Sequence, residues 1–365
     1  MTLQTVQFIR DFGLTTLVER FGITVKPHPR FPNLVFLKYN QIDSPMHESI
    51  VQECRGLILD ASDDWRVVSY PFRKFFNHGE PNAVAVDWST ARVYEKLDGS
   101  LMTLYPYRGE WHVASNGTPD AGGEVFGHGF TFAELFWKTF KEAGYRLPMP
   151  GVPFSFMFEL MTPFNRVVVQ HAAPRLKLIG VRHLGLLAED HVGGWAGAMG
   201  WDCVGSLPLG CIADCLAAAE ALDPIASEGF VVCDASFNRV KVKSARYVAL
   251  AHLKETASPR RMLEIIRAGE SDEFLAYFPE LKAAYDVVRE RFDATCAELD
   301  ADYARLRDIP EQKAFAAEAI KTRCSSPLFA VRAGKCKSVR EFFATCSMPA
   351  VERVVLAAAG GEGGA

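Results

Sequence analysis

The sequence predicts an α+β protein in which a domain of mainly antiparallel sheets with flanking helices precedes an all-helical region. In segment 154–160, phenylalanines and a leucine alternate with other residues, and in segment 240–243 valines alternate with lysines; this period of two is typical of a strand. After residue 250 the apolar residues recur every three or four positions instead, most clearly along 281–306. We therefore expect domains at residues 1–250 and 251–358, followed by a glycine-rich disordered tail at 359–365.

Composition limits the class of protein. The chain has 365 residues, of which 49% are hydrophobic and 23% charged, as in ordinary globular domains. No long apolar stretch or signal-peptide pattern occurs, which predicts a cytoplasmic protein without membrane association. The net charge of −4 argues against extensive coating of nucleic acid but is compatible with a local basic cleft. Nine scattered cysteines indicate neither a disulfide framework nor a metal site.

The central motif is Glu-Lys-Leu-Asp-Gly-Ser at residues 95–100, flanked by strand-like residues. A lysine such as Lys96 is a nucleophile once it is neutral, which near pH 7 requires desolvation or cationic neighbours. Asp98 and Gly99 suit a sharp turn that would present it. For the motif taken alone, a hairpin turn with an exposed lysine is the favoured interpretation, because so short a pattern occurs by chance.

Further charged residues occur on predicted strands. Lys241 and Lys243 alternate with valines and should share one sheet face, where an anion between them would relieve their repulsion. Such a pair would favour the neutral form of Lys96 if it lies nearby, although a solvated basic face is an equal alternative. Glu159 should point away from an aromatic strand face. Arg55 should share a face with Leu57 and Leu59, where a surface salt bridge is the simpler alternative to an anion site.

Taken in order, Lys-x-Asp-Gly, Phe-Glu, Glu-Gly and Lys-x-Lys extend from Lys96 to Lys243. With the Lys-Phe-Phe-Asn segment at 74–77 and Pro-Phe-Asn-Arg at 163–166, they resemble the RNA ligase 1 family of T-even phages. That family belongs to the lysine-adenylylating nucleotidyltransferases. The resemblance covers roughly residues 35–255 and implies an ATP-grasp-like nucleotidyltransferase domain.

The resemblance also implies site residues. Lys96 would form the AMP-lysine intermediate, and Lys241 and Lys243 would touch the α-phosphate. Mg²⁺ would be held through its waters by Glu159 and Glu228, with the later pair Asp272 and Glu273 as further candidates, although acids at a helix N-terminus explain that pair more simply. The implied ATP-binding residues are Tyr39, Arg55, Lys74, Phe76, Asp98, Gly99, Glu159, Glu228, Lys241 and Lys243.

The implied activity is that of an ATP-dependent RNA ligase that joins 5′-phosphate and 3′-hydroxyl ends, with Mg²⁺ or Mn²⁺, in RNA or tRNA repair. Two alternatives are a related enzyme acting on DNA nicks or RNA caps, and a non-catalytic nucleotide- or RNA-binding protein. No obligate protein partner is evident. The chain departs from the phage pattern at Asn116, where the family has a lysine, so another cation such as Arg108 would have to hold the β- and γ-phosphates of ATP.

The helical C-terminal region resembles the appendage of RNA ligase 1, which implies a role in RNA or tRNA recognition. Residues 321–340 contain six basic side chains and no acidic one. They are candidates for phosphate contacts, although a solvated charged surface is the simpler explanation.

Overall fold

The computed structural model describes residues 2–41, 43–125, 128–149, 151–255, 258–269, 271, 274–275 and 278–356. The chain divides into two units, Met1–Ala251 and His252–Ala365. The first unit contains all the strands of the described residues, and the second contains helices only. The predicted α+β class, with mainly antiparallel sheets and a helical C-terminal region, is confirmed.

The strands, numbered in chain order, are β1 Ile23–Pro27, β2 Leu34–Tyr39, β3 Arg55–Asp60, β4 Arg66–Ser69, β5 Phe76–Asn77, β6 Arg92–Glu95, β7 Ser100–Tyr107, β8 Glu110–Ser115, β9 Phe154–Met161, β10 Arg175–His183, β11 Glu189–Asp190, β12 Ser206–Leu207, β13 Gly229–Cys233 and β14 Arg239–Lys243. The helices are α1 Gln4–Phe12, α2 Leu14–Phe21, α3 Ser49–Glu53, α4 Phe132–Glu142, α5 Val192–Met199, α6 Ile212–Glu220, α7 Ala245–Glu255, α8 Pro259–Ala268, α9 Lys282–Leu306, α10 Gln312–Ala319, α11 Ser325–Arg332, α12 Val339–Thr345 and α13 Met348–Val355.

Three sheets form the first unit. The first has the order β1-β2-β3-β4, the second β11-β10-β9-β7-β8, and the third β12-β6-β13-β14-β5. Neighbouring strands are antiparallel except for β14 and β5. Aromatic and aliphatic side chains of β9 and α4 form the core on one face of the second sheet, and Glu159 projects from the other face as predicted. Val240 and Val242 are buried while the intervening lysines are only half-buried, which confirms the predicted alternation.

The segment that carries Lys96 connects two sheets. Strand β6, which ends at Glu95, belongs to the third sheet, and β7, which begins at Ser100, belongs to the second. The hairpin alternative for this motif is therefore wrong. Lys96 therefore lies in a connection between an interior strand of the third sheet and an interior strand of the second.

Buried polar contacts fix this connection. One Asp98 carboxylate oxygen accepts hydrogen bonds from the amides of Val168 (2.9 Å) and Val169 (2.7 Å), and the other accepts one from the Tyr247 hydroxyl (2.8 Å). Gly99 lies so close to β9 that a Cβ there would be 2.4 Å from the carbonyl oxygen of Leu160. Only glycine allows this approach, so the motif's aspartate and glycine are explained by the backbone path.

Strand β3 differs from its expected geometry. A β-bulge interrupts its pairing with β2, so that Leu57 lies opposite Leu37 but Arg55 lies opposite Lys38. Gly56, with φ +87°, provides the left-handed residue that the bulge requires. Arg55 consequently shares a face with Lys38, and the prediction that it shares the face of Leu57 and Leu59 is wrong.

The second unit is organised around α9, the long amphipathic helix that the sequence predicts. Its buried side chains include Tyr285, Phe292 and Leu299, and it packs against α8 and α10–α13. Helix α8 begins after Ser258, whose hydroxyl accepts a hydrogen bond from the Arg261 amide, and ends at Gly269 in the left-handed region. Among the described helices, none is both long and apolar enough to cross a membrane.

The close approach at Gly99 gives a stability prediction. The atom that a Gly99→Ala side chain would meet is backbone, so relief requires β7 and β9 to separate. We expect this variant to lose about 2 kcal/mol or more of unfolding free energy in urea denaturation. Gly197→Ala on α5, where nothing lies within 4 Å of the added methyl group, is the matched control and should be neutral or slightly stabilising. An equal effect of the two substitutions would contradict the steric explanation.

Candidate active site

A cavity of about 370 Å³ lies between the second and third sheets beside Lys96. Its wall combines basic side chains with apolar ones, the usual character of a site for a ligand that has both an anionic and a flat apolar part. Its lining includes Arg55, Phe72, Phe75, Lys96, Leu97, Leu101, Glu159, Ile179, Val204, Val231, Arg239, Lys241 and Lys243.

Glu228 holds the nucleophile candidate in place. One of its carboxylate oxygens accepts a hydrogen bond from Lys96 Nζ at 2.5 Å, and the other lies 2.9 Å from Lys243 Nζ. Glu228 is 3% exposed, whereas the two lysines are 21% and 30% exposed and remain open to the cavity. A carboxylate shared by two ammonium groups fixes the position of both.

The backbone explains why the third sheet can bring these groups together. The Lys96 amide donates a 2.8 Å hydrogen bond to the carbonyl of Gly229, so β6 and β13 remain in register next to Glu228. Gly229 has φ +144°, and a Cβ there would lie 2.2 Å from the carbonyl oxygen of Val242 on β14. The Glu-Gly pair therefore allows β14, with Lys243, to approach Glu228.

Lys241 lies among other cations. Burial, and then the charges of Arg55, Lys74, Lys96 and Lys243 in that order, lower the pKa of Lys241 to about 7. Its ammonium group lies 4.9 Å from the centre of the Phe75 ring and has no carboxylate partner among the described residues. A bound anion would stabilise the charged form, and this is the strongest electrostatic indication of a phosphate site.

Arg55 contributes a second unbalanced charge on the same wall. Its guanidinium carbon lies 5.6 Å from the Phe75 ring centre, and one terminal nitrogen is buried without a hydrogen-bond partner in the described part of the chain. Buried guanidinium nitrogens are normally hydrogen-bonded. The vacant donor, next to an exposed aromatic face, fits an anionic ligand with a planar ring.

Glu159 is the second carboxylate of the site. Burial raises the pKa of Glu159 to about 8; the Lys96 charge opposes this, and Glu228 adds to it. The described residues give this carboxylate no hydrogen-bond donor. A divalent cation would supply the missing positive charge, and Mg²⁺, which retains most of its waters, needs only one or two carboxylates. Glu159 and Glu228 therefore fit a magnesium site of low protein coordination, in agreement with the absence of any three-ligand cluster among the described residues.

A buried ion triad joins the sheets that form the cavity. Glu189 of β11 pairs with Arg182 of β10 at 2.8 Å and with Arg239 of β14 at 2.6 Å. Arg239 in turn stacks on Phe72, with 4.7 Å between its guanidinium carbon and the ring centre. Removing one member of such a triad leaves a buried charge unpaired, so the triad fixes the relative position of the second and third sheets.

Asn165 follows the C-terminal end of β9, and its side chain holds that end in place by hydrogen bonds. Its side-chain nitrogen donates to the Leu160 carbonyl (2.8 Å) and to the Ser100 hydroxyl (3.0 Å), while its oxygen accepts from the amide and hydroxyl of Thr162. The Pro-Phe-Asn-Arg segment thus positions the strand that carries Glu159 relative to the segment that carries Lys96.

The predicted site residues fall into three groups. Arg55, Lys96, Glu159, Lys241 and Lys243 line the cavity, and Glu228 lies directly behind two of them. The others that the structure describes do not line it. These residues are Tyr39, Lys74, Phe76, Asp98 and Gly99.

The residues away from the cavity have clear structural contacts. Lys74 Nζ lies over the rings of Tyr39 and Phe76, at 5.2 and 5.7 Å from their centres. Its positive charge contributes to the lowered pKa of Lys241. Phe76 is buried and its strand pairs with β14. Asp98 and Gly99 shape the chain path, as described above. Asp272 and Glu273 lie outside the described residues.

Sequence reasoning missed the aromatic cavity wall and the ion triad. Phe75, next to the predicted Phe76, provides the exposed ring, and Phe72 lies behind it. No strand period applies to residues 71–75, so the sequence could not tell which ring of the run faces the cavity. Glu189, Arg182 and Arg239 are far apart in sequence and belong to no motif.

The family model described as RNA ligase, of the T4 RNA ligase 1 type, matches residues 53–247, which is more than half of the chain. The chain belongs to this RNA ligase family. The match includes every cavity-lining residue used above, from Arg55 to Lys243, and confirms the resemblance noted in the sequence.

Two curated relatives are similar to the chain. A protein of Autographa californica nuclear polyhedrosis virus, named as a bifunctional polynucleotide kinase/RNA ligase, is 27% identical over 327 residues, which cover 80% of this chain and 44% of that protein. An RNA ligase of Rhodothermus phage RM378 is 36% identical over 162 residues, 35% of this chain and 36% of its own. The chain thus spans less than half the length of either relative.

Similarity to solved structures is low. An archaeal ATP-dependent RNA ligase aligns over 96% of this chain and 82% of its own, with a TM-score of 0.45 and 12% identity. A Naegleria gruberi RNA ligase variant with ATP and Mn aligns over 45% and 52%, with a TM-score of 0.34 and 13% identity. The family assignment depends on the sequence matches.

The raised pKa of Glu159 gives a pH prediction for the metal-free protein. Native Glu159 keeps its proton up to about pH 8, whereas the unfolded chain loses it near pH 4.5, so its stabilising contribution is present at low pH and is lost as pH rises. Between pH 5 and 7 the wild type should lose about 2 kcal/mol of unfolding free energy relative to Glu159→Gln. Lys241, whose pKa is about 7, is present in both proteins, so its titration affects the two curves alike.

The measurement is urea denaturation in EDTA at several pH values, with Glu142→Gln, at an exposed position on α4, as control. That control should follow the wild type. A Glu159→Gln curve parallel to the wild-type curve would contradict the pKa assignment.

Proposed function

We propose that this chain is an ATP-dependent RNA ligase that joins RNA 5′-phosphate and 3′-hydroxyl ends through lysine-AMP and RNA-adenylate intermediates. The observation that carries the proposal is the placement of Lys96 at an apolar cavity wall, fixed by Glu228 and next to two cations without carboxylate partners, Arg55 and Lys241. Membership of the RNA ligase family supports the choice of reaction.

In the first step the lone pair of Lys96 Nζ forms a bond to the α-phosphorus of ATP as the bond to the β-phosphate oxygen breaks, releasing pyrophosphate. The nucleophile must lose a proton, and Glu228, already hydrogen-bonded to Nζ, is placed to receive it. Lys241 and Lys243 offset the charge on the α-phosphate. The Phe75 ring offers the adenine a stacking surface, with Leu101, Ile179 and Val204 around it.

Glu159 and Glu228 would hold Mg²⁺, or Mn²⁺ in its place, through its water molecules. A divalent cation held there would supply positive charge to the phosphate oxygens and would stabilise the ionised form of Glu159, whose pKa is otherwise raised to about 8.

In the second step a 5′-phosphate oxygen of RNA attacks the phosphorus of lysine-AMP and restores the free amine. In the third, an RNA 3′-hydroxyl attacks the adenylated 5′-phosphate, forming the phosphodiester and releasing AMP. The same basic residues serve all three steps because each involves the charge on one phosphate group.

We further propose that the RNA substrate, tRNA among the candidates, contacts the second unit. Its basic stretch 321–340 is partly engaged by acidic side chains, because Lys321 pairs with Glu318 and Arg340 with Asp293. Lys335 and Lys337 have no ion pair in the described part of the chain. These two lysines are the phosphate contacts that we expect there.

The experiment that tests the first step is incubation with α-labelled ATP and magnesium, followed by denaturing electrophoresis. Wild-type protein should retain label, and Lys96→Arg, which preserves the charge next to Glu228 but is not nucleophilic, should lose more than 99% of it. Lys138→Ala, an exposed lysine on α4, is the matched control and should label normally. Labelling of Lys96→Arg, or no labelling of the wild type, would contradict the proposal.

The acceptor is tested by sealing assays. Strands with 5′-phosphate and 3′-hydroxyl ends should be joined when they are RNA, with much lower yield on nicked DNA, and α-labelled GTP should not label the protein. Preferential sealing of DNA nicks or transfer of GMP would instead identify the related ligase or capping activity. Binding of ATP without any label would identify a non-catalytic nucleotide-binding protein.

A further inference from the structure

The chain has an asparagine at position 116, and the cation expected there is absent from the β8 turn. Arg108, the substitute considered from the sequence, occupies the turn at the opposite end of β8, where it stacks on Phe31 and Tyr107. Strand β8 pairs with β7 along its whole length, which separates the two turns by at least about 16 Å. Arg108 therefore cannot provide the missing charge.

One lysine of the first sheet contacts the Asn116 turn instead, and a second lysine lies beside it on the same sheet face. Lys26 of β1 donates a 2.9 Å hydrogen bond from Nζ to the carbonyl of Gly117. In the pairing of β1 with β2, Lys26 lies opposite Phe36 and Thr24 lies opposite Lys38, so Lys26 and Lys38 are diagonal neighbours on one face. The same face carries Phe36, which packs with Tyr105 and with Ala114 of β8.

Lys38 lies between Lys26 and Arg55 in this row, and Arg55 is the member that lines the cavity. The bulge in β3 places Arg55 opposite Lys38, and Arg55 lines the cavity. Burial, then the charges of Lys26 and Arg55, lower the pKa of Lys38. Lys38 is half-buried and has no hydrogen-bond or ion-pair partner among the described residues. Three cations in a row without a carboxylate are stable only beside an anion or at a cost in folding free energy.

A polar group without a partner lies at the same place. The side-chain oxygen of Asn116 is buried and has no donor in the described part of the chain. An amide can present either its oxygen or its NH₂ group after rotation, so Asn116 can donate to an anion bound beside Lys26 and Lys38.

We propose that Lys38, supported by Lys26, binds the terminal phosphates of ATP and replaces the lysine that the family has at position 116. The inference rests on the proposed function, since it assigns the β- and γ-phosphates of that reaction. Binding of these phosphates requires only a positive charge close to them. A lysine on β2 can provide this charge as well as a lysine on the β8 turn. Phosphate groups also occur at RNA ends, so the test separates the two sources.

The main experiment measures lysine adenylylation against ATP concentration. Lys38→Ala should raise the KM for ATP at least tenfold, and Lys38→Arg should remain within about threefold of the wild type. Arg108→Ala should be unchanged, as a cation at the wrong end of the same hairpin. In the double variant Lys38→Ala, Asn116→Lys, the lysine on the turn should recover most of the loss. An unchanged KM in Lys38→Ala would overturn the proposal, and a raised KM that Asn116→Lys does not lower would show that Lys38 does not replace a lysine on the turn.

Two further measurements identify the phosphate source. Sealing of pre-adenylated RNA, which needs no ATP, should be unchanged in Lys38→Ala, and so should the affinity for AMP, which lacks terminal phosphates. If that sealing falls while the KM for ATP stays constant, Lys38 contacts RNA and the assignment is wrong. Thermal unfolding should show Lys38→Ala to be as stable as the wild type or more so, because the variant relieves repulsion among cations.

The proposal can also be separated from the proposed function. Calorimetric titration of wild type and Lys38→Ala with inorganic pyrophosphate requires no chemistry, and the variant should bind at least tenfold more weakly. If the wild type forms no lysine-AMP but shows this difference, the ligase proposal fails and the phosphate site stands. Equal pyrophosphate affinity of the two proteins would overturn the phosphate site, whatever the activity.

Discussion

The site depends on an excess of positive charge that the protein itself does not neutralise. Lys241 is surrounded by Arg55, Lys74, Lys96 and Lys243, while the nearby carboxylates are Glu159 and Glu228. Glu228 is already shared by two lysines, and the raised pKa of Glu159 keeps its carboxyl protonated near neutral pH. The described residues thus leave the pocket with more positive than negative charge. A nucleoside triphosphate with its divalent cation would supply an anion for the cations and a cation for Glu159, which is the electrostatic basis of the proposed reaction.

Such charge crowding is possible only because the sheets are held together by interactions outside the pocket. Two glycines, Gly99 and Gly229, allow backbones to approach to distances that a Cβ would prevent. The triad around Glu189 then connects the second and third sheets through buried ion pairs. Apolar packing alone, which is non-directional, would not fix Lys96 to within the distance of one hydrogen bond, whereas these polar and steric constraints do.

The sequence predicts the chemistry of this site better than its shape. Lys96, Glu159, Glu228, Lys241 and Lys243 each lie in a short motif on a strand or directly beside one, where the period of two indicates which side chains share a face. That rule fails at Arg55, because a bulge at Gly56 reverses the face, and between residues 71 and 75, where no strand exists to define one. Asp98 illustrates the opposite case. Its motif suggests a ligand contact, yet its carboxylate is satisfied by two amides and a tyrosine hydroxyl. Long-range contacts, such as the triad, leave no local pattern at all.

The same reasoning explains how a motif residue can be lost without loss of its function. A phosphate group responds to the position of a positive charge and hardly at all to the strand that carries it, because the interaction of charges depends on distance and on the local dielectric. Lys26 of β1 donates to the carbonyl of Gly117 in the β8 turn, and Lys38 of β2 is the diagonal neighbour of Lys26 on the same sheet face. The sequence motif includes only the β8 turn, where this chain has Asn116 in place of the family's lysine. The strand register places Lys38 opposite Arg55, and the described residues include no carboxylate paired with Lys38, which is why we propose that Lys38 supplies this charge.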